Sequence, residues 1–465
     1  MREASDSAFG SIGWCVLAVS AAILVFQALV PPAIGLADNG DFQKILGPLA
    51  LQPPVEDIRE TAFRYIHLHY DIVPADAVAT GFHSSEALLI RAAMRLNRLI
   101  SPSDVFDLRV LGAIHAALFL LALSLLISLT GGLRAGPRVV LLALAALVLC
   151  DVAYSAYYNS FYMDAGAFLF LMLSIVTVLR AVARRRTIDT CVALVCCLLL
   201  VTAKSQHALL AIPLAVFMFW ERHALWPRRA LLGSSLAATC LLCGATYELT
   251  LGSPRGYTNP CLFSAIFERL LPTATDPARE LADLGLDRSY LRYGGTDAFD
   301  DRSPMNDVQW VRAFMSRTSF QRLAGFYATH PGRTLRVAKM ALGEAALGRA
   351  PLGNYEQSAG RPPYTKSRTF AVWSTLRRTV LGRSVWLYPL IFAASVGVIV
   401  WRFAAAGIAL GLMGLIEFAV GGMTEASEVT RHLFLWNTLW DVSLLGAAAT
   451  LVVAWIRRTE HKQTK

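Results

Sequence analysis

Residues 109–130 read RVLGAIHAALFLLALSLLISLT, and this stretch decides the class of the chain. After Arg109 it holds no acid, lysine or arginine. A run of about 20 apolar residues spans the hydrocarbon of a bilayer as an α-helix. The helix is the form a bilayer accepts, because it satisfies its own backbone groups. Further apolar runs flank it, over about 13–35, 139–155, 165–180, 187–203, 208–220, 230–250, 385–401, 404–420 and 433–456. The composition agrees. Of 465 residues, 55% are hydrophobic and only 16% charged, where soluble domains carry about 25%. The expectation is an all-α polytopic membrane protein with about ten transmembrane helices.

The net charge of +10 is explained by where the bases stand. Arg134 and Arg138, Arg180 and Arg184–Arg186, Arg222, Arg228 and Arg229, Arg402, and the tail Arg457, Arg458, Lys462 and Lys465 all follow apolar runs. With ten crossings and both termini cytoplasmic, every one of these groups falls on the cytoplasmic side. The charge therefore reports topology and membrane lipids as partners, and nucleic acid is not expected. The first run is too long for a signal-peptide core and reads as a retained helix. Seven of the eight cysteines, all but Cys261, lie in apolar runs and read as small buried hydrophobes.

Two long loops then fall outside, 36–108 and 251–384. The chain divides into a transmembrane module with the first loop (1–250), a loop domain (251–384) and C-terminal transmembrane helices (385–465). In the first loop, Ser84–Ile100 patterns as a helix with one stripe of Leu88, Ala92, Leu96 and Leu99 and another of Arg91, Arg95 and Arg98. That suits an interfacial helix, or one packed on the loop domain. In the second loop, 308–329 and 333–348 read as helices, and Gly353-Asn354-Tyr355 reads as a tight turn near an acceptor site.

Polar residues gather at the loop ends of the runs. The stretch LADNGDF places Asp38, Asn39 and Asp41 just after the first helix. Carboxylates there suit a general base or a metal site, although Asp41 would also serve as a helix N-cap. The turn at 154–164, YSAYYNSFYMD, holds Tyr158, Asn159 and Asp164; its tyrosines would equally form an aromatic belt. Lys204 and His207 close a third turn and suit a phosphate, or Lys204 simply snorkels. The last turn, EASEVTRH, offers Glu428, Arg431 and His432, with Asn437 and Asp441 one helical turn apart beyond it. Arg431 with Glu428 would also make a plain salt bridge. Asp297, Asp300 and Asp301 read as a solvated turn. Nucleotide-binding and HExxH or GxSxG signatures are absent, which disfavours cytosolic ATP-driven chemistry.

Acids for an acceptor hydroxyl and cations for a departing phosphate are what glycosyl transfer from a lipid phosphate needs. On these residues the chain resembles the GT-C superfamily of membrane glycosyltransferases, through the acids after the first helix (Asp38, Asp41), the acid between the third and fourth (Asp164) and the large loop before the last helices. The strings DNGDF, YYNSFYMD, AKSQ, LGNYE and EVTRHLFLWN look like bacterial glycan-biosynthesis hexose transferases of the WsfD kind. Relatives of that kind often carry Glu where this chain has Asp164. The resemblance implies an integral inner-membrane enzyme of a bacterium, with an extracytoplasmic active site. It implies an inverting transfer of a hexose from a polyprenyl-phosphate donor to a glycan, lipid or protein acceptor. Asp38, Asp41 and Asp164 would be catalytic, or would hold Mg or Mn if a divalent cation takes part. Lys204, His207, Arg431 and His432 would hold the donor phosphate. Asn39, Tyr158, Asn159, Glu428, Asn437 and Asp441 would contact substrate. The competing readings are a glycan polymerase or ligase using pyrophosphate-linked oligosaccharide, and a lipid or glycan transporter without covalent chemistry.

Overall fold

The computed structural model describes residues 10–53, 60–74 and 81–463, without the side chains of 457 and 459–463. Lys465, and the side chains of Arg457 and Lys462 in the basic tail, lie outside the described residues. All ten apolar runs are helical. Six are long and apolar enough to cross a membrane: Gly10–Ala28, Leu108–Leu129, Asp164–Arg184, Ala230–Leu251, Ala404–Met423 and Phe434–Ile456. The other four, Ala135–Leu149, Thr187–Val201, Ser205–Trp220 and Leu387–Arg402, have 10–17 residues. At 1.5 Å per residue they fall short of a hydrocarbon layer about 30 Å thick. The chain is thus a multi-pass membrane protein.

The Asp164–Arg184 helix is the axis of the bundle. Most of its residues are buried, whereas each of the other five long helices buries less than half of its own. It packs against Leu108–Leu129, Thr187–Val201 and Phe434–Gln463. Lipid tails are as apolar as leucine, so this packing rests on dispersion and interhelical hydrogen bonds more than on exclusion of water. Arg185 adopts φ 54°, the left-handed cap that turns the chain directly into the next helix.

Two features differ from the sequence reading, and a third chooses between its alternatives. A small antiparallel sheet joins Leu51–Gln52, His69–Ile72 and Val105–Asp107, so the chain is not purely α; strands of two to four residues are too short to register as alternation. The helix expected over 308–329 breaks into Val308–Arg317 and Phe320–Thr329, where Ser319 caps the second through Arg322 N. The Glu86–Ile100 helix packs on Leu108–Leu129 through Ile90, Ala93 and Asn97 and leaves Leu88, Leu96 and Leu99 exposed beside its arginines. That arrangement suits a lipid interface rather than a seat on the loop domain.

The segment after the first helix is extended and held from several sides. Gly35 N donates to Asn354 O at 3.1 Å, Ala37 N to Gly353 O at 2.9 Å, and Phe63 N to Asp38 O at 2.7 Å. Residues 353–355 are therefore an extended partner of this segment and not a tight turn. A Cβ on Gly353 would lie 1.9 Å from Arg64 O, so only glycine allows the approach. Asn159 Nδ2 donates to both Ala28 O and Ile34 O at 2.8 Å. The result is a rigid platform that delivers Asp38 and Asp41 to one place.

Candidate functional site

The platform ends in a tight polar loop. Gly40 N and Phe42 N donate to Asp38 Oδ1 at 2.8 and 3.1 Å, and Asp41 N donates to Asn39 Oδ1 at 3.0 Å. Gly40 takes φ 100°, a conformation that glycine adopts without strain. Tyr162 braces the loop: Asn39 N donates to its hydroxyl at 3.1 Å, and that hydroxyl lies 2.9 Å from Ala37 O.

Arg431 joins the loop to the rest. It opens the last long helix through a one-turn helix, Val429–His432, and its side chain is buried. Its Nη2 donates to Asp41 Oδ2 at 2.6 Å and its Nε to Glu428 Oε2 at 3.1 Å, while Nη1 lies 3.7 Å from Asp164 Oδ2. Its guanidinium also stacks 4.8 Å over the Tyr162 ring. Lys204 Nζ holds Asp164 Oδ1 at 3.1 Å, and Asn39 Nδ2 donates to Glu428. Four stretches that lie far apart in sequence thereby meet in one cluster, and charge at this depth is retained only where it is paired.

The two acids of the first loop differ in environment. Asp41 sits between Arg431 and Lys44, whose Nζ lies 2.5 Å from its Oδ1. Burial would raise its carboxyl, but these charges outweigh burial and hold it well below the usual carboxylate range. Asp38 has no such partner. Its Oδ2 is buried and accepts no hydrogen bond, and burial pushes the carboxyl up to about 6 against the two backbone N–H donors. Burial likewise raises Glu425. His432 is lowered well below its ordinary value by burial and then by Arg431 and Lys204, so it is a neutral imidazole here.

Of the residues singled out from sequence, Asp38, Asn39, Asp41, Asp164, Lys204, Glu428, Arg431 and His432 converge. His207 lies beside them, with its Nδ1 2.8 Å from Glu417 Oε1 and its Nε2 buried without a hydrogen-bond partner. Four stand elsewhere. Tyr158 is packed by the His115 ring, Asn159 clamps the platform, Asn437 accepts from the Tyr388 hydroxyl, and Asp441 is ion-paired to Arg377 at 3.0 Å. Three residues of the site were not foreseen. Lys44 stands one turn after Asp41 and also donates to the Tyr257 hydroxyl at 2.8 Å. Glu86 meets His115, Oε1 to Nε2 at 2.9 Å, behind the Asp164 turn. The only sequence signal for that pair was a lone histidine within an apolar run.

Residues 3–465 match the family model of the YfdI N-terminal transmembrane domain. The chain belongs to this family. No curated protein and no solved structure matches it. Among the described residues, no group of three or more His, Cys, Asp and Glu is placed to hold a metal ion. Asp41 and Asp164 face cationic partners in this arrangement, Arg431 and Lys204.

Proposed function

We propose that this YfdI-family chain is a membrane glycosyltransferase that moves a sugar from a polyprenyl-phosphate donor to a hydroxyl of a cell-envelope acceptor. The narrower resemblance supplies a hexose as the sugar. The positive-inside pattern supplies the extracytoplasmic face of a bacterial inner membrane. Family membership supports the class of activity. The observation that carries the reaction is the unpartnered Oδ2 of Asp38, buried near Arg431, whose Nη1 makes only a loose contact to Asp164.

Asp38 Oδ2 accepts the proton of the acceptor hydroxyl. The acceptor oxygen forms a bond to the anomeric carbon while the bond from that carbon to the phosphate oxygen breaks, and polyprenyl phosphate leaves with the electron pair. Arg431 Nη1, which makes only a loose contact to Asp164, and Lys204 Nζ supply N–H donors to that phosphate. Attack opposite the leaving group inverts the anomeric centre. Asp41, fixed between Arg431 and Lys44, orients the arginine instead of taking a proton. A base near pH 6 is half ionised close to the working range, where a general base is worth about 10²–10⁴ in rate.

The test uses full-length protein in phospholipid vesicles with radiolabelled polyprenyl-phosphate hexose and a membrane acceptor fraction. Label should pass to the acceptor with wild type and not with Asp38→Asn. Transfer only from a pyrophosphate-linked oligosaccharide would make the chain a polymerase or ligase. Movement of lipid without transfer of label would make it a transporter.

A further inference from the structure

A cavity of about 480 Å³ opens between the Glu86–Ile100 helix and the ends of the Thr187–Val201 and Ala230–Leu251 helices. Its volume is in the range of small-molecule sites. Glu248 lines it, 1% exposed, with an Oε2 that accepts no hydrogen bond. No described lysine, arginine or histidine lies within ion-pair distance of its carboxyl. The hydroxyls around it are committed elsewhere. Ser84, Ser85 and Thr202 donate to the carbonyls of Ala203, Leu199 and Leu198, and the Tyr247 hydroxyl pairs with His83 Nδ1 at 2.5 Å. An unpartnered buried carboxyl oxygen is costly, and a ligand that brings donors removes the cost.

Two further observations define the ligand. At the rim stands Arg91, exposed and without a hydrogen-bond or ion-pair partner among the described residues. The cavity therefore carries an acid within and a base at its edge, and the two do not neutralise each other. A ligand that satisfies both has a cation at its tip and an anion behind it, and a guanidinium suits a phosphate in the second place. Beside Arg91 stands Leu88, one helical turn earlier and 54% exposed, so the part of the ligand beyond the phosphate can lie in lipid. Ammonium, phosphate and acyl chain in that order make an aminophospholipid. An ethanolamine ammonium brings N–H donors to Glu248 Oε2, whereas a choline nitrogen brings none. A glycerol head brings hydroxyls without the charge.

We infer that this cavity binds phosphatidylethanolamine, with the ammonium on Glu248, the phosphate on Arg91 and the acyl chains running past Leu88 into the bilayer. The lipid is a resident partner that ties the interfacial helix to the end of Ala230–Leu251, and it binds whether or not the chain transfers sugar. The test is photo-cross-linking of the full chain in phosphatidylglycerol vesicles that contain a phosphatidylethanolamine with a diazirine near the head end of one acyl chain. Label should enter the peptides that carry residues 82–91 or 247–248. Phosphatidylcholine with the same diazirine should label them at least fivefold less. Label from phosphatidylethanolamine should fall at least fivefold in Glu248→Gln, which keeps the shape of the cavity and removes its acid. It should fall as far in Arg91→Gln, which changes an exposed position and so leaves the fold intact. Excess unlabelled phosphatidylethanolamine should compete, and excess phosphatidylcholine should not. Label that is absent or lands elsewhere, that phosphatidylcholine matches or displaces equally, or that survives either substitution overturns the inference. Because this readout needs no turnover, it stands or falls separately from the sugar-transfer assay.

Discussion

Two buried ionic clusters in this chain are built from the same residue types and differ in one respect. In the first, Asp441 accepts from Arg377 Nη1 at 3.0 Å, from Trp373 Nε1 at 2.9 Å and from the Tyr154 hydroxyl, so both of its oxygens are engaged. In the second, Asp38 accepts two backbone N–H groups on Oδ1 and nothing on Oδ2. A fully engaged buried acid fastens helices together. A half-engaged one keeps a lone pair that the fold has already desolvated, and that lone pair is available to a substrate proton. The distinction is one of hydrogen-bond accounting, and neither depth nor residue type reveals it.

The largest effect should come from removing the idle oxygen. Asp38→Asn should cut the rate of sugar transfer by about 10²–10⁴, the usual worth of a general base. Its stability should move the other way. The folded carboxyl titrates at about 6 against an ordinary 3.8, so stability is lost as the pH rises between these values. Above pH 6 the neutral amide avoids that loss, about 1–3 kcal/mol. Thermal unfolding in detergent at pH 7.5 should therefore show a more stable, inactive protein. A less stable one would mean that Asp38 is a structural acid like Asp441.

The counterpart is Asp441→Ala. It leaves Arg377 buried without its carboxylate, which costs about 3–5 kcal/mol. Fluorescence-detected unfolding should show the drop, and Arg377→Met in the same chain should restore most of it. Protein that still folds should transfer sugar at near the wild-type rate. A selective loss of turnover in the double variant would place this second cluster in the chemistry.

Much of this was legible in the sequence, for reasons that also mark where it stopped. The apolar runs stand out because a bilayer demands length, and the charged motifs at their ends stand out because ions at that depth are costly. Asp38, Asp41, Asp164, Lys204 and Arg431 could therefore be gathered before any coordinates. Which acid would be free could not. Lys44, the second partner that holds Asp41 down, looks like any loop lysine. Asp441 reads from sequence as a substrate contact, and only Arg377, 64 residues earlier, shows that it is held in an ion pair. Asn437 and Asn159 read as substrate contacts because a buried amide carries no mark of which carbonyl or hydroxyl it serves.

The pH profile sharpens the comparison with a smaller effect. If Asp38 is the base, transfer should fall tenfold for each pH unit below about 6 and level off above it. Asp41 cannot produce this limb, because Arg431 and Lys44 keep it ionised far below that range. A profile flat down to pH 5 would remove Asp38 from the proton transfer.

The smallest effect tests how firmly the idle oxygen is aimed. Tyr162 makes its hydrogen bonds to the residues on either side of Asp38. It braces the neighbouring loop through Asn39 N and Ala37 O and lies under the Arg431 guanidinium. Tyr162→Phe keeps the ring and its stacking and removes only the hydroxyl. The two buried hydrogen bonds it makes are worth about 1 kcal/mol each, so the loss of stability should be about 2 kcal/mol. Turnover should fall further than stability alone would require, by about fivefold, since small displacements of a reacting group weigh heavily on rate. The pH midpoint near 6 should stay in place, because the burial that raises Asp38 is intact. If the midpoint moved down toward the ordinary carboxylate range, water would have entered the loop, and the contrast with Asp441 would rest on packing that one hydroxyl maintains.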